Sequence, residues 1–246
     1  RECDRMTLTG CEIHSAEFGW LCRGVELTDC KMQGEYPFFM TRGLHLTGVE
    51  LKGKYSFQYV EDCTVADSFF DTKDAFWHAK NVTVRNCTVK AGHTLLGIGS
   101  ELSGGVRNIY MHHCEAPQSV NRLFFIKTNH RRGGVVENIF MDSIHTGRTL
   151  SVAEIDTDVL YQWRDLVPTY KDSLTRISNI CLTNIRCDSA KTIYKFRGDK
   201  RMPIRDVMLE NIQVDVVADT LNSAQHIEGL TTKNVNFKHF GFGVRP

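Results

Sequence analysis

The sequence predicts an all-β solenoid, and three observations carry that prediction. Short apolar–polar–apolar runs recur along all 246 residues, and a small or polar residue closes each run. No stretch keeps the i, i+3, i+4, i+7 apolar stripe of a helix, and alternation over so few residues argues strand.

Aligned in one phase, the runs read LTGC at Cys11, LTDC at Cys30, LTGV at Val49, VEDC at Cys63, VRNC at Cys87 and MHHC at Cys114. They continue as MDSI at Ile144, LTNI at Ile185, LENI at Ile212 and TKNV at Val235, with steps of 19, 19, 14, 24, 27, 30, 41, 27 and 23 residues. A period of this size with drifting length is the signature of stacked repeats. Each unit holds a short strand, such as Val82-Thr83-Val84 or Val207-Met208-Leu209. Variable insertions and no fixed helix fit a parallel β-helix better than a leucine-rich horseshoe, with coils about 4.8 Å apart. The repeats number roughly ten and form one domain over residues 1–246. Asn86, Asn184, Asn211 and Asn234 recur just before the apolar residue, so a column of amides would form a hydrogen-bonded ladder satisfying turn groups.

Composition excludes several function classes. With 30 basic against 29 acidic residues, the chain has no global attraction to nucleic acid or to an anionic membrane. No run approaches a membrane span, so a soluble chain is expected. Nine cysteines are too few for a disulfide scaffold, and their phase predicts an inward stack of free thiols. No C-x-x-C and no zinc-spaced His/Cys cluster occurs, so neither metal nor cofactor is expected. Strand alternation predicts that His112 and His113 face opposite sides and do not share an ion. The glycines at 97, 99, 104 and 105 precede no helix and are no phosphate loop. The start at Arg1 reads as a processed form or a fragment, and it begins almost at once in a coil. An uncapped N-terminal β edge invites pairing, so a homodimer through that coil is an expectation.

The most specific segments are Gly92-His93 followed by IGSELSGGVRN, and one coil later IKTNHRRGGVVENI. On these motifs residues 91–240 resemble the carboxy-terminal half of polygalacturonase-type pectin hydrolases, glycoside hydrolases with a right-handed, pectin-lyase-like parallel β-helix. The resemblance implies inverting hydrolysis of pectin or a related uronic-acid polysaccharide, in a secreted or periplasmic setting. It puts His93 beside the catalytic carboxylates and Lys127 on a substrate carboxylate. The family's arginine two residues before that lysine is Phe125 here, and Arg122 is the substitute expected from the preceding turn.

The family also carries three aspartates upstream of the histidine, in N-T-D and D-D-C segments, and this sequence has neither. The nearest carboxylates are Asp71 and Asp74, with Lys73 between them. Inversion needs one protonated and one ionised carboxyl about 6.5–9.5 Å apart, and a neighbouring lysine favours ionisation of both. Two readings therefore stand: a hydrolase using Asp74, Asp71 and His93, or a catalytically inactive scaffold or polysaccharide-binding module. A protein-interaction surface has only the aromatic strands behind it.

Residues 1–90 have a different character, with tight coils and aromatic clusters. GKYSFQYVEDC and DTKDAFWHAKNVTVRNC resemble a bacterial β-helix family of unknown function. The chain thus reads as a chimera, natural or engineered, with a splice near residues 90–92 that removed the family aspartates. Solenoids tolerate such joins because each coil contacts only its neighbours. Trp20 and Trp77 are candidates for sugar stacking or for the core. The segment 154–165 reads as a projecting loop whose Tyr161 and Trp163 would wall a sugar cleft, or as a solvated flap. Arg131 joins Lys127 in a small basic cluster suited to uronate carboxylates.

Overall fold

The computed structural model describes residues 1–73, 76, 78–90, 92–100, 102–159, 172–218 and 221–239, with the side chains of Lys73, His93 and His239 outside that set. Within it the chain is a parallel β-helix without helices, right-handed as crossovers between parallel strands are.

The first coils are strand pairs: β1 (Asp4–Thr9) with β2 (Glu12–His14), β3 (Arg23–Thr28) with β4 (Lys31–Glu35), and β5 (Arg42–Thr47) with β6 (Glu50–Lys54). β7 (Glu61–Ala66) with β8 (Phe69–Lys73) and β9 (Lys80–Arg85) with β10 (Thr88–Val89) continue the series. A third strand then joins each coil: β11 (Gly92–Ile98) follows β9 and β10, and β14 (Val120–Lys127) follows β12 (Val106–His112) and β13 (Glu115–Ala116). Next come the long, cornered β15 (Val135–Asp156), β16 (Arg176–Arg197) and β17 (Ile204–Val217), then β18 (Ser223–Gln225) and β19 (Ile227–His239). Every inter-strand pairing is parallel, apart from an isolated Asp199–Met202 bridge.

Three faces result. The first holds β1, β3, β5, β7, β9, β12 and the starts of the long strands. The second runs through β2, β4, β6, β8, β10 and β13. The third holds β11, β14, the ends of β15 and β16, and β18. Alternate residues point inward, so Val25, Leu44, Cys63, Val82, Ile109 and Ile139 stack as one buried column of the core.

The amide ladder predicted from the sequence is present. Asn86 Nδ2 donates to Asp67, Asn211 to Asn184 and Asn234 to Asn211, at 3.0 Å each, and Asn184 donates to Asp142 at 2.7 Å. These rungs sit at left-handed φ, between +52° and +55° for Asn86, Asn184, Asn211 and Asn234, a region that Asn tolerates better than most residues. The same column passes through Gly10, Asp29, Gly48, Asp67, His113 and Ser143, which makes ten coils among the described residues. A second ladder, not foreseen, runs along the opposite end of the first face: Asn81, Asn108, Asn138 and Asn179 each donate to the residue one coil below, at 2.7–2.8 Å.

Three sequence expectations need correction. The early coils repeat every 19 residues, pairing Thr47 with Ala66 and Ala66 with Arg85, so Ser68 and not Cys63 follows Val49 in the stack. Each coil has two left-handed positions followed by an inward residue, here Asp62-Cys63 and Asp67-Ser68, and the two look alike in sequence. The thiols are all free but not all inward: Cys3 is exposed, and Cys11 and Cys181 are half-buried. Glu154, Ile155 and Asp156, expected in a projecting loop, are instead the end of β15.

Among the described residues the first coils close without a third strand. Tyr36, Phe38 and Met40, then Tyr55, Phe57 and Tyr59, then Phe76 and His78, alternate through left-handed φ near +55° to +64°. Each such residue costs about 1–2 kcal/mol relative to the right-handed region. Inter-coil hydrogen bonds offset this, from Phe38 N–H to Phe18 O at 2.7 Å and from Phe57 N–H to Pro37 O at 3.0 Å. Stacking adds to them: Phe57 lies 5.5 Å from Phe38 and 4.5 Å from Phe76 by ring centroids. Trp20 belongs to this cluster, with its Nε1 donating to Tyr36 O at 2.6 Å and the Arg1 guanidinium over its ring.

Candidate functional site

The third face brings together the motif residues of the sequence. Ladder pairing aligns Gly97, Phe125, Glu154 and Lys195 in one row across β11, β14, β15 and β16. The next outward row holds Lys127, Asp156 and Arg197. Period 2 turns both rows to the outside.

Arg122 lies against this surface. Its guanidinium carbon sits 4.4 Å from the Phe125 ring centroid, so the charge is carried back over the position where the resemblance expects an arginine. Its Nε donates to Glu154 Oε2 at 2.8 Å, and Ser151 Oγ donates to the same oxygen at 2.7 Å. Arg197 is tied similarly, with Nη2 on Asp158 at 2.6 Å and Nη1 at 3.7 Å from Asp156. Asp156 also accepts the Asp158 N–H at 2.9 Å. Lys127 and Lys195 have no ion-pair partner among the described residues. Lys195 was missed by the sequence reading, because only the coil register brings it into line with Phe125 and Glu154.

Close backbone packing shapes the end of the row. A Cβ on Gly99 would meet the Lys127 carbonyl oxygen at 1.9 Å, and Gly99 has φ +108°. The glycine thus lets two coils approach beside Lys127. Arg131 stands in the turn after β14, with its backbone N–H donating to Asn129 Oδ1 at 3.0 Å.

The other candidates are placed as follows. His93 lies on β11, between the Gly92–Val120 and Thr94–Arg122 pairs, one strand from Asn121. Six residue positions along the strand direction separate it from the level of Lys127, roughly 20 Å at about 3.3 Å each. Asp71 sits on the second face in β8, aligned with Lys52, and its carboxylate pairs with Lys90 at 2.9 Å. Asp74, Trp77, Tyr161 and Trp163 lie outside the described residues. No group of three metal-ligating side chains occurs among the described residues.

Glu154 and Asp156 are the acids on this face that the structure describes beside the motif residues. They stand two residues apart on one side of a strand, about 6.6 Å by backbone rise. That spacing suits an inverting pair, and each acid is tied to an arginine beside it.

With fold and site in place, the class is clear from comparison with known proteins. Residues 75–239 match glycosyl hydrolases family 28, and the chain belongs to that family; residues 1–128 match, and belong to, the Protein of unknown function (DUF3737) family. The two matches overlap over residues 75–128. Among solved structures, a hyperthermoactive exopolygalacturonase from Thermotoga maritima is similar, at 20% identity and TM-score 0.64 over 91% of this chain. This chain spans about half of that protein, 54% of its length. No curated protein sequence matches.

Proposed function

We propose that the third face of the C-terminal coils holds a uronic-acid polysaccharide, and that the chain works as a polygalacturonase-like binding module. One observation carries the reading: the arginines of this face are spent on its acids, while Lys127 and Lys195 are uncommitted among the described residues. Two ammonium groups without an ion-pair partner among the described residues attract a polyanion. They stand two strands and two residues apart, about 12 Å, so one polymer chain can touch both. Arg131, in the turn after β14, extends the cluster.

Hydrolysis is the second reading, favoured by the family membership of residues 75–239. It assigns Asp74, with Asp71, as carboxylates and His93 beside them. We also infer that the two family portions meet near residues 90–92, where the 19-residue period ends and the third face begins. The experiment pairs two assays on polygalacturonic acid from acid to neutral pH: polymer binding with Lys127→Ala and Lys195→Ala, and reducing-sugar release with Asp74→Asn and His93→Ala. Binding lost in both lysine variants without sugar release supports the binding module. Release abolished by Asp74→Asn and His93→Ala overturns it in favour of the hydrolase, and neither binding nor release overturns both.

A further inference from the structure

A second groove lies on the first face, away from Lys127. Its outward central column is polar in the early coils, as Thr7, Glu26, His45 and Thr64. It turns apolar later, as Tyr110, Phe140, Cys181 and Met208. Here the surface sinks into a groove of about 790 Å³, with Tyr110 and Phe140 on its floor. Tyr110 is 41% exposed, and the His112 ring stacks on it at 4.6 Å. Apolar surface framed by polar residues marks a binding site more often than a bare surface does.

The rim says what fits. The ladder rungs Asn108 and Asn138 border the groove. An amide offers two N–H donors and two acceptor lone pairs, and each of these rungs spends one of each on its neighbours. One donor and one acceptor remain per rung, repeating about every 4.8 Å along the axis. Across the groove stands Asp142, whose carboxylate accepts from Asn184 at 2.7 Å, Thr183 at 2.8 Å and Ser143 at 3.2 Å. Among the described residues it is the only charged side chain lining the groove.

We propose that this groove is a second saccharide site, taking a neutral sugar chain laid along the amide ladder over Tyr110 and Phe140. Paired donors and acceptors at a regular step match vicinal hydroxyls, and an aromatic floor matches the apolar face of a sugar ring. The Asp142 charge accepts hydroxyls but repels a uronate carboxylate, so the groove discriminates against the polymer proposed for the third face. A nucleic acid would need cations that the lining lacks. A peptide strand would need a sheet edge, and this is a sheet face.

The test compares galactose oligomers with galacturonate oligomers, which differ in carrying a carboxylate in place of CH2OH. Binding is read by calorimetry, and independently by protection of Cys181, which lines the groove, from alkylation mapped by mass spectrometry. Tyr110→Thr copies the residue found one coil below, Thr83, and so keeps the strand. The neutral oligomer is expected to protect Cys181, to lose about tenfold in affinity in Tyr110→Thr, and to be unaffected by Lys127→Ala with Lys195→Ala. Asp142→Asn should admit the galacturonate oligomer. Failure of the neutral oligomer to protect Cys181, or binding that falls only in the lysine variants, overturns the proposal and leaves the third-face reading standing.

Discussion

Asn138 is the rung whose loss can be worked out most closely. It donates to Asn108 and accepts from Asn179, both at 2.7 Å, and it holds φ at +59°. Alanine removes both hydrogen bonds, at about 1 kcal/mol each, and less where water replaces them on this partly exposed rung. It also places a Cβ-bearing residue without Asn's local hydrogen bonding in the left-handed region, at about 1 kcal/mol more. The sum is a loss of about 2–4 kcal/mol. Glycine loses the same two bonds but not the conformational term, so Asn138→Gly should fall short of Asn138→Ala by about 1 kcal/mol. Urea unfolding followed by circular dichroism measures the difference, and hydrogen exchange locates it, because a solenoid loses stability coil by coil. An alanine variant no worse than glycine would refute the φ argument. A loss in both below about 0.5 kcal/mol would mean that the ladder is surface decoration.

Other consequences are as concrete. Phe57→Ala removes a fully buried ring between two stacked neighbours and should lose about 3–5 kcal/mol, while Tyr59→Ala, at 44% exposure, should lose far less in the same melt. Arg201 beside Asp199 holds its carboxyl down at about 2, below its unfolded value; the stabilisation is therefore complete above about pH 4 and is lost as pH falls toward 2. Asp199→Asn should flatten the fall of Tm across that window. Burial pushes the Cys187 thiol up to about 12 and raises Cys63 further, so alkylation at mildly alkaline pH should label exposed Cys3 first and leave Cys63 and Cys187 unmodified until the coils open.

The fold was legible because its signals are local. An inward residue after a left-handed Gly, Asp, Asn, His or Ser leaves a similar four-letter trace in each coil, and chance has little room to imitate it so often. The phase slipped at Cys63 for the same local reason, since each coil carries two such traces and only pairing tells them apart. The second ladder sat in plain view in VRNI, VENI and ISNI, yet nothing in one strand says that Asn138 reaches Asn108 rather than water. The site was less legible. Lys127 and Arg122 stood in motifs, whereas Lys195 becomes a neighbour of Glu154 only through coil register. That Glu154 and Asp156 belong to a strand is fixed by their pairing with Phe125 and Lys127 on the neighbouring coil, which one strand's sequence does not show.

Coil length sets where a cleft can exist. A 19-residue coil such as the one from Arg42 to Glu61 spends six residues on β5 and five on β6, and its return from Tyr55 to Val60 is too short for a strand with two corners. It closes instead through alternating φ and stacked rings, at Tyr55, Phe57 and Tyr59. The coil from Lys80 to Arg107 takes 27 residues and is the first to hold a third strand, β11. Carboxylates expected on the coils below His93 therefore have no third-face strand there to present them. An acid placed on that return, as in Gln58→Asp, should produce no reducing-sugar release from polygalacturonic acid. Gln58 is only 7% exposed, so a carboxylate there is buried in the turn and not presented to a sugar. Release by Gln58→Asp above the unaltered chain would show that a strand is not required, and that coil length is the wrong explanation.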